Sequence, residues 1–322
     1  MSATSLASGN SRPLLGRLAP SPTGELHIGH ARSFLLAWWS IRSRGGKLVL
    51  RYEDLDGERS RPEFFQGIDD DLRWLGIDWD GEAFVQSDGL GAIEAALASL
   101  VEARLVYPCV CTRREVREAW SAPHEGAGHV ASAYPGTCRG RFSSVAEALA
   151  LTGRPAALRF AVPTTPVAIE DVLLGSLEID LAAEGGDFVV ARSDGVPGYQ
   201  LAVVVDDAVQ GVTEVLRGDD LVVSAARQAL LIDALGLQRP TWAHVPLVLD
   251  SRGERLAKRA GSLSLAALRA SGVRAHEVIA WAATSSGQTA PVEPRARDVL
   301  QQFDLAHLPL VPVGNPFDEA TP

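Results

Sequence analysis

Strand-like and helix-like segments alternate twice within the first 105 residues, and the same order returns after residue 166, which predicts an α/β protein built on a parallel sheet. Between these stretches, residues 106–165 carry all three cysteines with several Pro and Gly, so they read as an insertion. Residues 13–19 (PLLGRLA) form a short apolar strand, closed by a Pro/Ser/Thr/Gly turn at 20–24. A helix is predicted from Ile28 to about Ser43, ending before Gly45 and Gly46. Residues 46–53 (GKLVLRYE) give a second strand, and 62–75 a second helix with Pro in its first turn. Residues 92–104 are helical by composition. The first half of the fold therefore spans 13–105 and the insertion 106–165.

The second half, 166–250, resumes from about Val167 with apolar runs at 188–191, 201–205 and 247–249, and its clearest helix lies at 219–235. A loop and short helical part are expected over 251–290. Residues 291–322 are Pro-rich and read as an irregular tail.

Composition narrows the function classes. The formal net charge of −10 is mild counter-evidence to nucleic-acid binding, although one basic groove on an acidic protein satisfies both. No run of about twenty apolar residues offers a membrane span, and residues 1–12 lack the apolar core of a signal peptide. Three cysteines do not make a disulfide scaffold, so a reducing, cytoplasmic compartment is expected. Of 30 basic side chains only Lys47 and Lys258 are lysine, so each lysine invites its own explanation.

The strongest chemical signal is RLAPSPTGELHIGH at 17–30. It places a strand, a tight turn and a helix N-terminus in succession, with two imidazoles three residues apart. Helix N-termini gather unpaired N–H groups and partial positive charge, which suits a phosphate. His27 and His30 are placed to donate to a triphosphate there, and Gly29 lets the nucleotide approach the backbone. An isolated H-x-x-H is more often a pair of surface or capping residues; here a fourteen-residue context surrounds it. The second signal is ERLAKR at 254–259, after an apolar strand (245–249) and a turn (250–253). A mobile loop presenting the Lys258 ammonium would meet the phosphates opposite the histidines. The third is Cys109-Val-Cys111 with Cys138, three thiols within thirty residues, which suggests one zinc site in the insertion. His124 and His129 are the chemically ordinary candidates for a fourth ligand.

The 17–30 segment closely resembles the HIGH signature of class I aminoacyl-tRNA synthetases, in the glutamyl branch, and 254–259 resembles their KMSKS loop with Lys258 as its second lysine. Arg255, Ala257 and Arg259 depart from that loop's pattern. The resemblance covers about residues 14–260. It implies a Rossmann-like, doubly wound catalytic domain with a zinc-binding insertion and a short helical C-terminal part. It implies a glutamate pocket at Arg17, Ala19, Ser21, Glu53, Tyr199 and Arg217, carried by RYEDLD (51–56), GYQLAVVVDD (198–207) and GVTEVLRGDD (211–220). For zinc it points to Tyr134 as the fourth ligand, through a Cys-x-Cys…Tyr-x-x-x-Cys set.

About sixty residues follow Lys258, too few for the anticodon-binding region of full-length glutamyl enzymes, and Val203 stands where those usually carry Asn. The chain thus resembles the truncated glutamyl-queuosine tRNA(Asp) synthetases. That resemblance implies ATP- and Mg²⁺-dependent activation of L-glutamate without tRNA. Transfer to queuosine in the anticodon loop of tRNA(Asp) would follow, by a protein expected to be monomeric. Ordinary acceptor-end charging and a non-catalytic RNA-binding role are the competing expectations.

Overall fold

A computed structural model describes residues 12–116, 134–254, 256 and 264–317. The first parallel unit is β1 (Leu15–Leu18), α1 (Ile28–Arg42), β2 (Lys47–Tyr52), α2 (Pro62–Trp74) and β3 (Phe84–Val85), with strand order β1-β2-β3. Leu15 through Leu18 pair in parallel register with Lys47 through Leu50. α1 is apolar on most of its circumference and is accordingly buried on most sides, Leu35, Leu36 and Trp39 being wholly inaccessible. Gly16 permits its close approach to β1, since a Cβ there would stand 2.5 Å from Ile41 Cγ1. Arg61 precedes α2 and Pro62 occupies its first turn, where a missing N–H costs nothing.

After α3 (Leu90–Glu102) the chain enters the insertion through β4 (Val106–Cys109), α4 (Val145–Thr152) and β5 (Ala157–Phe160). Ser144 caps α4 by accepting from the Glu147 N–H, and Gly153 ends it in the left-handed region. β4 and β5 are antiparallel, and the sheet is completed by β8 (Phe188–Ala191), which lies beyond residue 165. Between them β6 (Val167–Asp171) and β7 (Gly175–Ile179) form an antiparallel hairpin on the edge of the second parallel unit.

That unit continues with α5 (Tyr199–Gln210), β9 (Glu214–Gly218), α6 (Val222–Ala234) and β10 (Thr241–Val245), in the order β7-β6-β10-β9. The apolar run 201–205 is therefore helical: it lies within α5, whose Leu201, Ala202 and Val203 are buried. A continuous apolar run of that length fits a buried helix as well as a buried strand. The Thr213 N–H donates to the Leu15 carbonyl at 2.8 Å, so the edges of the two parallel sheets meet beside β1.

One core cluster joins α1, β1 and β2 to α7 (Leu265–Ala270), α8 (Ala275–Thr284) and Ala296, Val299 and Leu308. The other joins α3, α5 and α6 with β6 and β8. The segment after residue 290 has little regular structure, yet it is packed: Trp39 Nε1 donates to the Ala296 carbonyl at 2.8 Å, and β12 (Val313–Gly314) pairs in parallel with β11 (Val248–Leu249). No described helix is long and apolar enough to cross a membrane.

Candidate active site

The C-terminal end of β1, the start of α1 and the ends of β2, β9 and β10 converge on a cavity of about 450 Å³. Such a crevice at the strand ends of an open α/β sheet is where ligands bind in this architecture. All six residues expected to contact glutamate line it, namely Arg17, Ala19, Ser21, Glu53, Tyr199 and Arg217. His27, Gly29 and His30 line the same cavity from the helix side. Residues separated by up to two hundred positions are thus brought to one space.

On the helix side, His27 is the N-cap of α1. Its Nδ1 accepts from the Gly29 N–H at 3.1 Å, and its own backbone N–H donates to His30 Nδ1 at 3.1 Å. Each Nδ1 is therefore an acceptor, which puts the proton of each neutral imidazole on Nε2. The rings stand 3.7 Å apart between centroids. Gly29 serves this pair directly: a Cβ there would meet the His27 ring at 3.0 Å. Lys258 lies outside the described residues. On either side of it, Leu256 lines the cavity, and the Leu265 N–H donates to the Leu26 carbonyl at 2.8 Å.

On the sheet side, buried charges are arranged as a network. Arg51, fully buried, donates through Nη1 to Asp207 and Gln210 at 2.7 Å each and through Nη2 to Glu53 at 3.1 Å. Asp207 also lies 3.7 Å from Arg17 Nε. Glu53 is held at the cavity by Arg51 and by its N–H, which donates to the Pro20 carbonyl at 3.0 Å. Burial pushes its carboxyl above the usual range, against the pull of Arg51 and Arg17. Asp206 accepts from Gln86 Nε2 at 2.6 Å, and burial raises it to about 6. Arg217 donates through Nε to His244 Nε2 at 3.1 Å and through Nη2 to the Leu221 carbonyl at 3.3 Å. Its Nη1 is buried with no partner among the described residues.

Arg51 and Asp207 stand inside the segments that carry the family resemblance, but their pairing was invisible in sequence, as was that of Arg217 with His244. The partners are 156 and 27 positions apart, and no local spacing rule links them.

A second cavity, of about 760 Å³, shares Ser21, Thr23, Glu53 and Tyr199 with the first. Arg59, Arg113, Arg159 and Arg192 border it beside Glu53, Asp56 and Asp194, with Arg59 paired to Asp56 and Arg192 to Asp194, so its rim is mixed in charge with a slight basic excess. Cys111, one of the three cysteines, also borders it. The sulfurs of Cys109, Cys111 and Cys138 lie within 4.8 Å of one another. The Tyr134 hydroxyl is 3.3 Å from the Cys109 sulfur and 3.9 Å from that of Cys111. His124 and His129 lie outside the described residues. Arg159 donates to the Cys109 sulfur at 3.3 Å and stacks over the Tyr134 ring at 3.9 Å. Buried Asp187 accepts from Tyr107, Arg139 and the Val162 N–H, tying both cysteine-bearing loops to the insertion sheet.

The family model "tRNA synthetases class I (E and Q), catalytic domain" matches residues 14–284. The chain is 45% identical over 312 residues to the glutamyl-Q tRNA(Asp) synthetase of Nitratidesulfovibrio vulgaris, covering 94% of this chain and 96% of that one. It is 47% identical over 298 residues to the protein of the same name from Nocardia farcinica, covering 92% and 91%. The glutamate–tRNA ligase of Thermosynechococcus vestitus matches at 41% over 262 residues, which is 80% of this chain but 54% of the ligase. The crystal structure of the glutamate-tRNA synthetase from Elizabethkingia anophelis superposes with a TM-score of 0.79 at 24% identity, over 96% of this chain and 69% of that one, and shows the fold. The chain therefore belongs to the class I tRNA synthetases of the E and Q type and, within them, to the glutamyl-Q tRNA(Asp) synthetases.

Proposed function

We propose that the protein activates L-glutamate with ATP, without RNA, and then transfers it to queuosine in the anticodon loop of tRNA(Asp). The observation that carries the first step is the convergence of two arginines, the Glu53 and Asp220 carboxylates and two Nε2–H imidazoles on one cavity of about 450 Å³. Glutamate has two carboxylates and an ammonium, and the charges match: Arg17 and Arg217 take carboxylates, and Glu53 takes the ammonium. A bound ammonium also favours the ionised Glu53 that burial alone opposes. Ala19 and Ser21 form the wall of the turn, and Tyr199 closes the side shared with the second cavity.

ATP enters with its phosphates at the start of α1. His27 and His30 donate through Nε2 to phosphate oxygens, and Gly29 leaves the helix end open. Lys258 completes the phosphate clamp; its described neighbour Leu256 borders the cavity. The glutamate α-carboxylate attacks the α-phosphorus, pyrophosphate departs with its Mg²⁺, and glutamyl-adenylate forms. The enzyme's part is positioning and stabilisation of the developing phosphate charge, with no covalent enzyme intermediate. The cavity beyond Tyr199, bordered by Arg113 and Arg159, then admits the modified nucleoside, whose hydroxyl attacks the activated carbonyl and releases AMP.

The cysteine cluster fits a structural zinc. Burial and the neighbouring sulfurs push the Cys111 thiol up to about 12, a crowding that a cation among the sulfurs reverses. Cys109, Cys111, Cys138 and Tyr134 would hold it, with Arg159 offsetting the anionic ligand charge from outside. Zinc there would supply cross-linking of the Tyr134–Cys138 loop to the Cys111 loop that borders the second cavity.

The test is amino-acid-dependent ATP–pyrophosphate exchange in the absence of RNA. Glutamate supports exchange, whereas glutamine, aspartate and arginine do not. Zinc-loaded protein that gives no exchange with glutamate would overturn the proposal.

A further inference from the structure

We infer that His244, oriented by Asp171, is a positioning residue that fixes the Arg217 guanidinium for the glutamate carboxylate while leaving its charge unneutralised. The inference rests on the proposed role of Arg217 and deepens it.

Three adjacent strands supply the three groups. Asp171 ends β6, His244 is on β10 and Arg217 on β9, and Arg217 and His244 are direct partners in the parallel register. All are buried, His244 completely. The Asp171 carboxylate accepts the N–H groups of Leu173 at 2.9 Å and Leu174 at 3.0 Å, and that of His244 at 3.1 Å. A carboxylate so surrounded by donors is an acceptor, and it holds His244 Nδ1 at 2.6 Å. Nδ1 must therefore carry the proton, and Nε2 presents a lone pair to the Arg217 Nε–H at 3.1 Å.

The consequence for Arg217 is geometric. A guanidinium is planar, so fixing Nε on His244 and Nη2 on the Leu221 carbonyl fixes the whole fork. The remaining Nη1 is the atom left without a partner among the described residues. The choice of acceptor matters as much as its place. A carboxylate at position 244 would pair with Arg217 and cancel the charge a substrate carboxylate needs. A neutral imidazole fixes the same geometry and leaves that charge intact. Burial first, and the nearby Arg217 charge, depress the His244 pKa against the pull of Asp171 and the Leu221 carbonyl, which favours the neutral ring. The carboxylate that orients it stands one residue further from the substrate, on the far side of the ring.

The experiment compares H244L, H244Q and D171N in the full chain with an R217Q reference, by glutamate-dependent ATP–pyrophosphate exchange with thermal melting alongside. H244L removes the acceptor, and glutamate KM is expected to rise roughly ten- to a hundredfold with ATP KM within about twofold. H244Q places an amide oxygen near the Nε2 position and should recover most of the loss. D171N keeps the side-chain volume but lets the amide donate to Nδ1, moving the ring proton to Nε2 against Arg217. It should raise glutamate KM even if H244L does not fold. A folded H244L or D171N with parental glutamate KM overturns the inference, as does an H244Q no better than H244L. An R217Q with parental glutamate KM instead overturns the role of Arg217 itself, and this inference with it.

Discussion

Replacing Arg217 with methionine separates binding from folding. Arg217 is buried, its pKa is depressed by burial first of all, and Nη1 lacks a partner among the described residues. In the ligand-free protein it is therefore a buried cation kept at some cost, and the proposed substrate carboxylate is its missing partner. A charge-assisted hydrogen bond contributes about 1.5–3 kcal/mol, so losing one to two such bonds removes about 3 kcal/mol, a rise of roughly 150-fold in glutamate KM. The stability side carries both signs. Methionine fills similar volume without a charge, and orphaning His244 Nε2 and the Leu221 carbonyl offsets that gain by about 1–3 kcal/mol each. The two contributions oppose each other, so the net change in unfolding free energy is at most a few kcal/mol. Pyrophosphate exchange at varied glutamate, with urea unfolding of the same preparation, reads both quantities. A glutamate KM within about threefold of the parent would refute the reasoning, since it falls well below the loss of even one charged hydrogen bond. A collapse of stability would refute it equally, because it would make Arg217 a structural residue.

Other outcomes follow from the same geometry. His30→Ala removes an Nε2–H donor beside the phosphates and should lower kcat for exchange roughly a hundred- to a thousandfold while glutamate KM changes little; a change confined to glutamate KM would place His30 elsewhere in the reaction. Elemental analysis of the purified protein should find one zinc per chain, and Cys138→Ser should lose the metal and melt at lower temperature, whereas metal-free parent protein with unchanged melting would exclude the site. Asp206 titrates near 6 in the folded protein against 3.8 for an ordinary aspartate, so the folded state binds the extra proton between those values. Stability contributed there falls as pH rises from about 4 to about 6, and Asp206→Asn removes the fall. The variant should match the parent below about pH 4 and exceed it by up to about 3 kcal/mol above about pH 6, as read by urea melts across pH. A constant difference at all pH values would contradict the burial argument.

What the sequence disclosed, and what it hid, follows the range of the interactions involved. The turn and start of α1 were legible because their signals are local: the cap, the histidines and Gly29 lie within three residues of one another. The six positions singled out through family motifs all border one cavity. The helical state of 201–205 was not, because five consecutive apolar residues carry no period that separates a buried helix from a buried strand. The chain after residue 290 read as irregular, and its order comes from partners far upstream: Trp39 for Ala296, and β11 for β12. The Asp171–His244–Arg217 line was hidden for the same reason. Its members are polar residues on three strands, aligned only by sheet register. Local motifs marked which residues border the first cavity, and long-range pairing determined how they are held there.

The central claim is tested most directly by incubating the protein with ATP and labelled glutamate and two total-tRNA pools, one containing queuosine and one lacking it. The account predicts label in the queuosine-containing pool alone, released with a fragment carrying the anticodon loop of tRNA(Asp). Equal labelling of both pools, at the acceptor end, would contradict it.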